Sequence, residues 1–410
     1  MLEGWAGSEA GCGLGLLYRL KEERGMKLKV EKTIGPRSRR SFIKQGLAMA
    51  GTATAGASLL TKGLPVFGDT EQGESSGKLT KGDAAILRFL AAAEIIESDL
   101  WVQYNELGGV QDNELPELGG SGNTTYTVAL EQLDGDMPQY IHDNTEDEIS
   151  HWHFIDAYLA SKGADKVSLD GFRNLQGSTA DGSTGKGRIT NLMQLTVDTS
   201  WYTRYRSRAN NPDLDPTFVF PQAVPSLSMG KFPAIPRTNA DLSPSDHIQA
   251  IANTAGFHFG FIEQGGNSLY PSLAQRVTHP EVLRILLSIG PTETCHFQTW
   301  HDKAGNAVAD PLAPLADSTT SNPQLVFPNL NSNPGGEDFQ TNLIMPEPCP
   351  FLDPNLPVCS IIRPTETRGA AMAAVNSLIA DGLFINQSLQ FFEFMLDLAA
   401  DADRAKREMV

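Results

Sequence analysis

Three observations predict an all-α fold built on four long helices in this sequence of 410 residues. Two Glu-x-x-His steps occur, Glu148-Ile149-Ser150-His151 and Glu293-Thr294-Cys295-His296, and each follows a helical segment carrying a lone glutamate, Glu94 and Glu263. Apolar residues recur with the helical period around both steps. Trp152, Ile155, Tyr158 and Leu159 share a face with Glu148 and His151, while Glu146, Ser150 and Asp156 fall outside it; Leu286, Ile289, Phe297 and Trp300 share a face with Glu293 and His296. The lone glutamates sit in a repeat of their own, Glu94 before Leu100 and Trp101, Glu263 before Leu269 and Tyr270. The chain thus reads as two copies of one helix pair.

The first helix is expected at 84–107, with Asp83 as its N-cap and Gly108 and Gly109 as its stop. The second is expected at 138–161, closed by Lys162 and Gly163, and the third at 245–270. The fourth, 280–302, meets Gly290 and Pro291 just before its Glu-x-x-His step. Proline lacks the N–H and crowds the preceding turn, so Pro291 either kinks this helix or starts a new one. Residues 162–244 form an insert far longer than the usual helix connection, which fits a bundle whose middle crossover spans its full length. Within it, 189–206 reads equally as helix or strand. Residues 310–365 hold 11 of the 25 prolines and predict a long ordered loop. Helices return at 365–380 and 383–407, where Phe384, Leu389, Phe391, Phe392, Met395 and Leu398 form an apolar face. The expected organisation is an N-terminal extension with a signal at 1–68, the bundle at 69–310 with its insert 162–244, a Pro-rich loop region at 311–364, and C-terminal helices at 365–410 packing on the bundle.

Residues three apart on a helix share a face, so both side chains of each Glu-x-x-His step can reach one ion. Glu94, Glu148, Glu263 and Glu293 supply four carboxylates, and His151 and His296 two imidazoles, a match for two divalent iron or manganese ions. Acids on an apolar stripe need such a cation, because a buried unpaired carboxylate is very costly. Glu97, one turn after Glu94, is the rival ligand, and the register of the repeat favours Glu94. Tyr104, His258 and Tyr270 are candidates to support the ligands from just outside them. Cys295, between two ligand candidates, reads as a small buried filler.

Together with this ligand order, the stretches 256–266 (GFHFGFIEQGG) and 288–298 (SIGPTETCHFQ) resemble the ferritin-like di-iron carboxylate proteins. More narrowly they resemble the twin-arginine-exported ferritin-like domain proteins, also called desiccation-related. The resemblance covers roughly 80–310 and implies a ferritin-like four-helix bundle with the six residues above as metal ligands. It implies two iron ions as cofactor, with manganese or a mixed iron–manganese pair as the alternative. Manganese catalases share the bundle but typically lack a carboxylate matching Glu293, which favours iron. Redox chemistry with dioxygen or peroxide is the implied activity. A stress-associated binding or structural protein, its metals mainly holding the bundle together, is the second reading.

The motif Ser38-Arg39-Arg40-Ser41-Phe42-Ile43-Lys44, followed by a small-residue apolar run at 47–60, reads as a twin-arginine export signal. The run is too short and too rich in glycine, alanine and threonine for a stable membrane span. The expected partner is therefore the twin-arginine export machinery, and the expected location periplasmic or extracellular. That route carries folded proteins, so metal can be loaded before translocation. The net charge is −17; residues 1–68 carry 11 basic and 5 acidic groups, leaving 21 basic against 44 acidic groups and a net charge of −23 without them. Such an acidic surface argues against a nucleic-acid partner and is compatible with a homo-oligomer. Cys349 and Cys359 flank a Pro-rich loop and form the expected disulfide of an oxidising compartment.

Overall fold

Helix α1, Lys81–Gly108, begins where Thr80 accepts the Asp83 N–H at 3.0 Å through its side chain. Asp83, the expected cap, lies instead in the first turn. Its carboxylate accepts the N–H groups of Thr278 and His279 at 2.9 and 3.0 Å, fastening the connection between two later helices. In this computed structural model the described residues are 78–408, apart from 113, 115–117, 205–220, 331–345, 348–354, 356–358 and 361–367. Arg39, Arg40, Cys349 and the side chain of Cys359 lie outside them.

The described chain is all-α in class. After α1 come α2 (Thr124–Glu131), α3 (Met137–Ser161), two short helices α4 (Ser200–Arg204) and α5 (Pro225–Met229), then α6 (Ser245–Ala274) and α7 (Pro280–Ala304). Helix α1 packs along α3, and α6 along α7. Helices α8 (Ala370–Ala380) and α9 (Leu389–Arg404) close the chain, α9 against α1 and α8 against α6. Strands are short antiparallel pairs: β1 (Leu315–Ala316) with β2 (Val326–Phe327), and β3 (Pro346–Glu347) with β4 (Cys359–Ser360). The described residues fall in one unit. Among the described residues no helix is long and apolar enough to cross a membrane.

Helix α7 runs unbroken through Pro291. The carbonyl that Pro291 leaves without a helical partner belongs to Leu287, and both residues are exposed, so water can satisfy it. On α3, Asp156 is buried rather than outward, because its carboxylate accepts the Val167 N–H at 3.0 Å and turns the chain back onto the helix. The last helix starts later than its hydropathy suggests: Ser388 caps it by accepting the Phe391 N–H at 3.2 Å, and residues 381–386 form the preceding turn. Leu389 is exposed, while Phe391, Met395 and Leu398 are buried.

Where described, the insert between α3 and α6 is mostly irregular, with isolated bridges Leu175↔Arg188 and Leu195↔Phe232, and of the range 189–206 the described part, 189–204, is neither one helix nor one strand. Two buried acids of α1 hold it. Asp99 accepts the N–H groups of Ile189 and Thr190 at 2.9 Å each and pairs with Arg173 at 2.6 Å; Glu106 pairs with buried Arg188. At the start of α6, buried His247 joins the end of the insert to the segment after β1. Its Nδ1 lies 2.8 Å from Asp317 and its Nε2 3.3 Å from Asp241, which Arg237 also binds. Hydrogen bonds to Asp241 and Asp317 push His247 up to about 9. A raised histidine value stabilises the fold fully below the unfolded value of 6.5 and ceases to do so as pH rises through about 9. His247→Ala is accordingly expected to lower Tm by about 5 °C at pH 6. The deficit should shrink toward pH 9.5 in thermal melts of the two proteins.

Candidate metal centre

Each long helix brings an acid to one buried point. Glu94 comes from α1, Glu148 and His151 from α3, Glu263 from α6, and Glu293 and His296 from α7. All four carboxylates are buried, and His296 keeps slight solvent contact. Their donor atoms form two overlapping sets, Glu94–Glu148–His151–Glu293 and Glu148–Glu263–Glu293–His296, each with all atoms within 4.8 Å of one another. Glu148 and Glu293 belong to both. The arrangement is therefore two adjacent donor positions sharing two carboxylates, each completed by one further glutamate and one histidine.

The distances within the sets suit a common cation better than hydrogen bonds. His151 Nδ1 lies 3.3 Å from Glu94 Oε2, 3.1 Å from Glu148 Oε2 and 3.2 Å from Glu293 Oε1. One nitrogen carries at most one proton, so it cannot donate to three oxygens at once. Ligands about 2.1 Å from one ion are separated by about 3.0 to 3.4 Å, the spacing seen here. His296 Nδ1 lies 3.0 Å from Glu148 Oε1 and 3.4 Å from Glu263 Oε2. Glu263 Oε2, both Glu293 oxygens and His296 Nδ1 are buried without a hydrogen bond. Polar atoms left this way are costly, and a shared cation would satisfy all of them.

The electrostatics point the same way. Burial, then the neighbouring Glu293 charge, pushes Glu148 up to about 7; burial, then the Glu94 charge, pushes Glu293 up to about 8. Burial also raises Glu263. Glu94 moves down, because contact with His151 and the hydrogen bond from Tyr270 outweigh its burial. Burial opposes charge on His151 and His296, yet the carboxylates around them lift both far above the usual imidazole value. Glu97 is buried but contributes to neither donor set, which leaves the place to Glu94. Burial, then the charges of Glu148, Glu263, Glu293 and Glu94, raises Glu97 well above the carboxylate range.

The surrounding shell is specific. Tyr270 donates its hydroxyl to Glu94 Oε1. Asn144 donates its amide to Glu148 Oε1 and Glu263 Oε1, both at 2.9 Å, and its carbonyl accepts the Trp300 indole N–H at 2.8 Å. Asp147 accepts from His296 Nε2 at 3.1 Å, which leaves Nδ1 facing the carboxylates, as a metal-ligating imidazole requires. Tyr104 and His258 were expected in this shell, but they bond to each other at 2.6 Å rather than to the ligand carboxylates. Burial holds His258 neutral, down to about 3, and Tyr104 packs edge-on against Phe259. Cys295 is exposed, because α7 turns it away from the face shared by Glu293 and His296. Asn144, Asp147 and Trp300 are supporting residues that sequence reasoning missed. The available signal was an amide on the apolar stripe one turn before Glu148.

Close helix approach needs two glycines here. A Cβ on Gly266 of α6 would lie 2.7 Å from Glu293 Oε2, and one on Gly290 of α7 would lie 2.8 Å from Tyr270 Cβ. A small cleft of about 90 Å³ reaches the site, lined by Tyr140, Asp143, Asn144, Asp147, His296, Thr299 and Trp300. It has room for a few water molecules and is far smaller than pockets enclosing drug-sized ligands. Comparison of the chain with family models, with curated proteins and with solved structures finds no match.

Two outcomes follow from this geometry. Glu148 and Glu293, raised from an ordinary 4.5 to about 7 and 8, stabilise the metal-free fold below 4.5 and lose that contribution as pH rises through 8. A cation that displaces these protons should bind more tightly as pH rises, by about tenfold per pH unit for each proton displaced. The gain in Tm from added Mn²⁺ should thus be larger at pH 8.5 than at 5.5, and equal gains would contradict the assignment. Gly266→Ala should favour the helix by about 1 kcal/mol in isolation. It should nonetheless weaken metal binding about tenfold, since the new methyl displaces the Glu293 carboxylate while the circular dichroism stays unchanged.

Proposed function

We propose that this chain is a ferritin-like four-helix bundle holding two divalent metal ions. Iron is the first assignment, with manganese or a mixed pair as the alternative, and the activity is redox chemistry with dioxygen or peroxide. The observation that carries the proposal is the pair of overlapping donor sets sharing Glu148 and Glu293, one acid coming from each of four helices. Four carboxylates and two imidazoles suit iron or manganese, whose two oxidation states a mixed oxygen–nitrogen shell accommodates. When bound, such a pair supplies the electrons that reduce dioxygen or peroxide.

The chain's own residues prepare the site for that chemistry. Asn144 fixes Glu148 Oε1, which also faces His296, and Glu263 Oε1, leaving Glu263 Oε2 without a hydrogen bond. Tyr270 keeps its proton on the hydroxyl and holds Glu94 with it, because burial, and then the Glu94 charge, raises the phenol well above 10. Trp300, stacked on Trp101 at 5.2 Å, fixes Asn144. Asp143 and Asp147 at the cleft attract cations, and its size admits dioxygen or peroxide more readily than an organic substrate. Export by the twin-arginine machinery belongs to the same proposal, on the strength of the motif containing Arg39 and Arg40.

A second reading is favoured by the origin of the donors: ions linking α1, α3, α6 and α7 would cross-link the bundle and serve mainly stability, as in a stress-associated structural protein. Metal analysis with oxygen-uptake and peroxide-consumption assays separates the readings. The proposal expects two ions per chain, turnover with one oxidant, and loss of both ions in Glu148→Ala. Two tightly held ions and a large metal-dependent rise in Tm without turnover would favour the structural role. Absence of stoichiometric iron or manganese from the protein exported by its own host would contradict both.

A further inference from the structure

Some distance from the centre, His142 of α3 is 3 % exposed, and neither of its ring nitrogens makes a hydrogen bond. Buried imidazoles with both nitrogens unsatisfied are uncommon and call for a physical explanation. The ring is aimed at acids. Its Nε2 lies 3.5 Å from Asp112 Oδ2 and 3.5 Å from Glu146 Oε1. Two donor sets converge on it, Asp112–Glu114–His142 and His142–Asp143–Glu146, each with all donor atoms within 4.8 Å. Asp112 is held for this by its other oxygen, Oδ1, which accepts the Glu114 N–H at 2.9 Å.

We propose that His142, with Asp112 and Glu114, forms a mononuclear site for a divalent transition-metal cation, separate from the paired centre. An N···O separation of 3.5 Å is close to the edge of about 3.4 Å expected between two tetrahedral ligands about 2.1 Å from one ion. One imidazole among carboxylates selects a zinc-class or manganese-class ion over calcium, which takes oxygen ligands. The acids are partly exposed, leaving water to complete the shell. His142 precedes Glu148 by six residues on α3, about 9 Å along the helix and about 120° around it, so one ion cannot serve both places. The ion would join the loop after α1, which carries Asp112 and Glu114, to α3.

The alternative is a protonated His142 in simple ion pairs with Asp112 and Glu146. Zn²⁺ titration of the full chain, read by calorimetry and by elemental analysis after dialysis, decides between them. His142→Ala should bind one Zn²⁺ fewer than its parent. Asp112→Asn, an exposed loop substitution that leaves the packed fold intact, should lose the same equivalent or bind it at least tenfold more weakly. In a Glu148→Gln background, which disables the paired centre, one equivalent should remain and should disappear on adding His142→Ala. The site is thereby tested whether or not the paired centre binds metal. Unchanged stoichiometry in His142→Ala, or unchanged stoichiometry and affinity in Asp112→Asn, would overturn the proposal.

Discussion

Four carboxylates sealed inside a helical protein are the constraint on which the rest of this structure depends. Glu94, Glu148, Glu263 and Glu293 are all buried, and separated from water they repel one another strongly. Burial and mutual repulsion raise Glu148, Glu263 and Glu293, and the carboxylates in turn raise His151 and His296. A pair of divalent ions would offset that repulsion. The acids come from two helix pairs, so whatever neutralises them also holds α1 and α3 against α6 and α7.

The repeat in the backbone is not a repeat in the chemistry. Trp101 and Tyr270 occupy matching positions after Glu94 and Glu263, yet only Tyr270 reaches a ligand, crossing to Glu94. Trp101 has no hydrogen bond on its indole nitrogen and stacks on Trp300 and Phe259. Glu263 is held by Asn144 of α3 instead. The two donor positions thus differ in their surroundings, and the one containing His296 adjoins the cleft. Paired carboxylates supported by unlike partners can respond differently to the same change in charge.

The four long helices were legible because helical periodicity and the two Glu-x-x-His steps are local signals. The same local logic put Glu94 ahead of Glu97, and of the two it is Glu94 that stands in a donor set. What failed was non-local. Asp83 reads as a cap, and only the Thr278 and His279 amides reveal why it is used elsewhere. The bonds from Asn144 to Glu263 and from His296 to Asp147 span more than a hundred positions, which no periodicity exposes. Tyr104 and His258 misled for the converse reason: each lies near a ligand in sequence, but their side chains satisfy one another within the aromatic core. The insert stayed unreadable because its order comes from Asp99 and Glu106 of α1 rather than from its own pattern.

Anomalous scattering at the iron and manganese edges, from crystals of the protein purified from its own host, tests the central claim most directly. The account predicts two peaks about 3.5 to 4 Å apart. Both should lie between the Glu148 and Glu293 carboxylates, one beside His151 and the other beside His296. A well-ordered centre with no anomalous peak, or with a single peak touching only one of the two histidines, would contradict it.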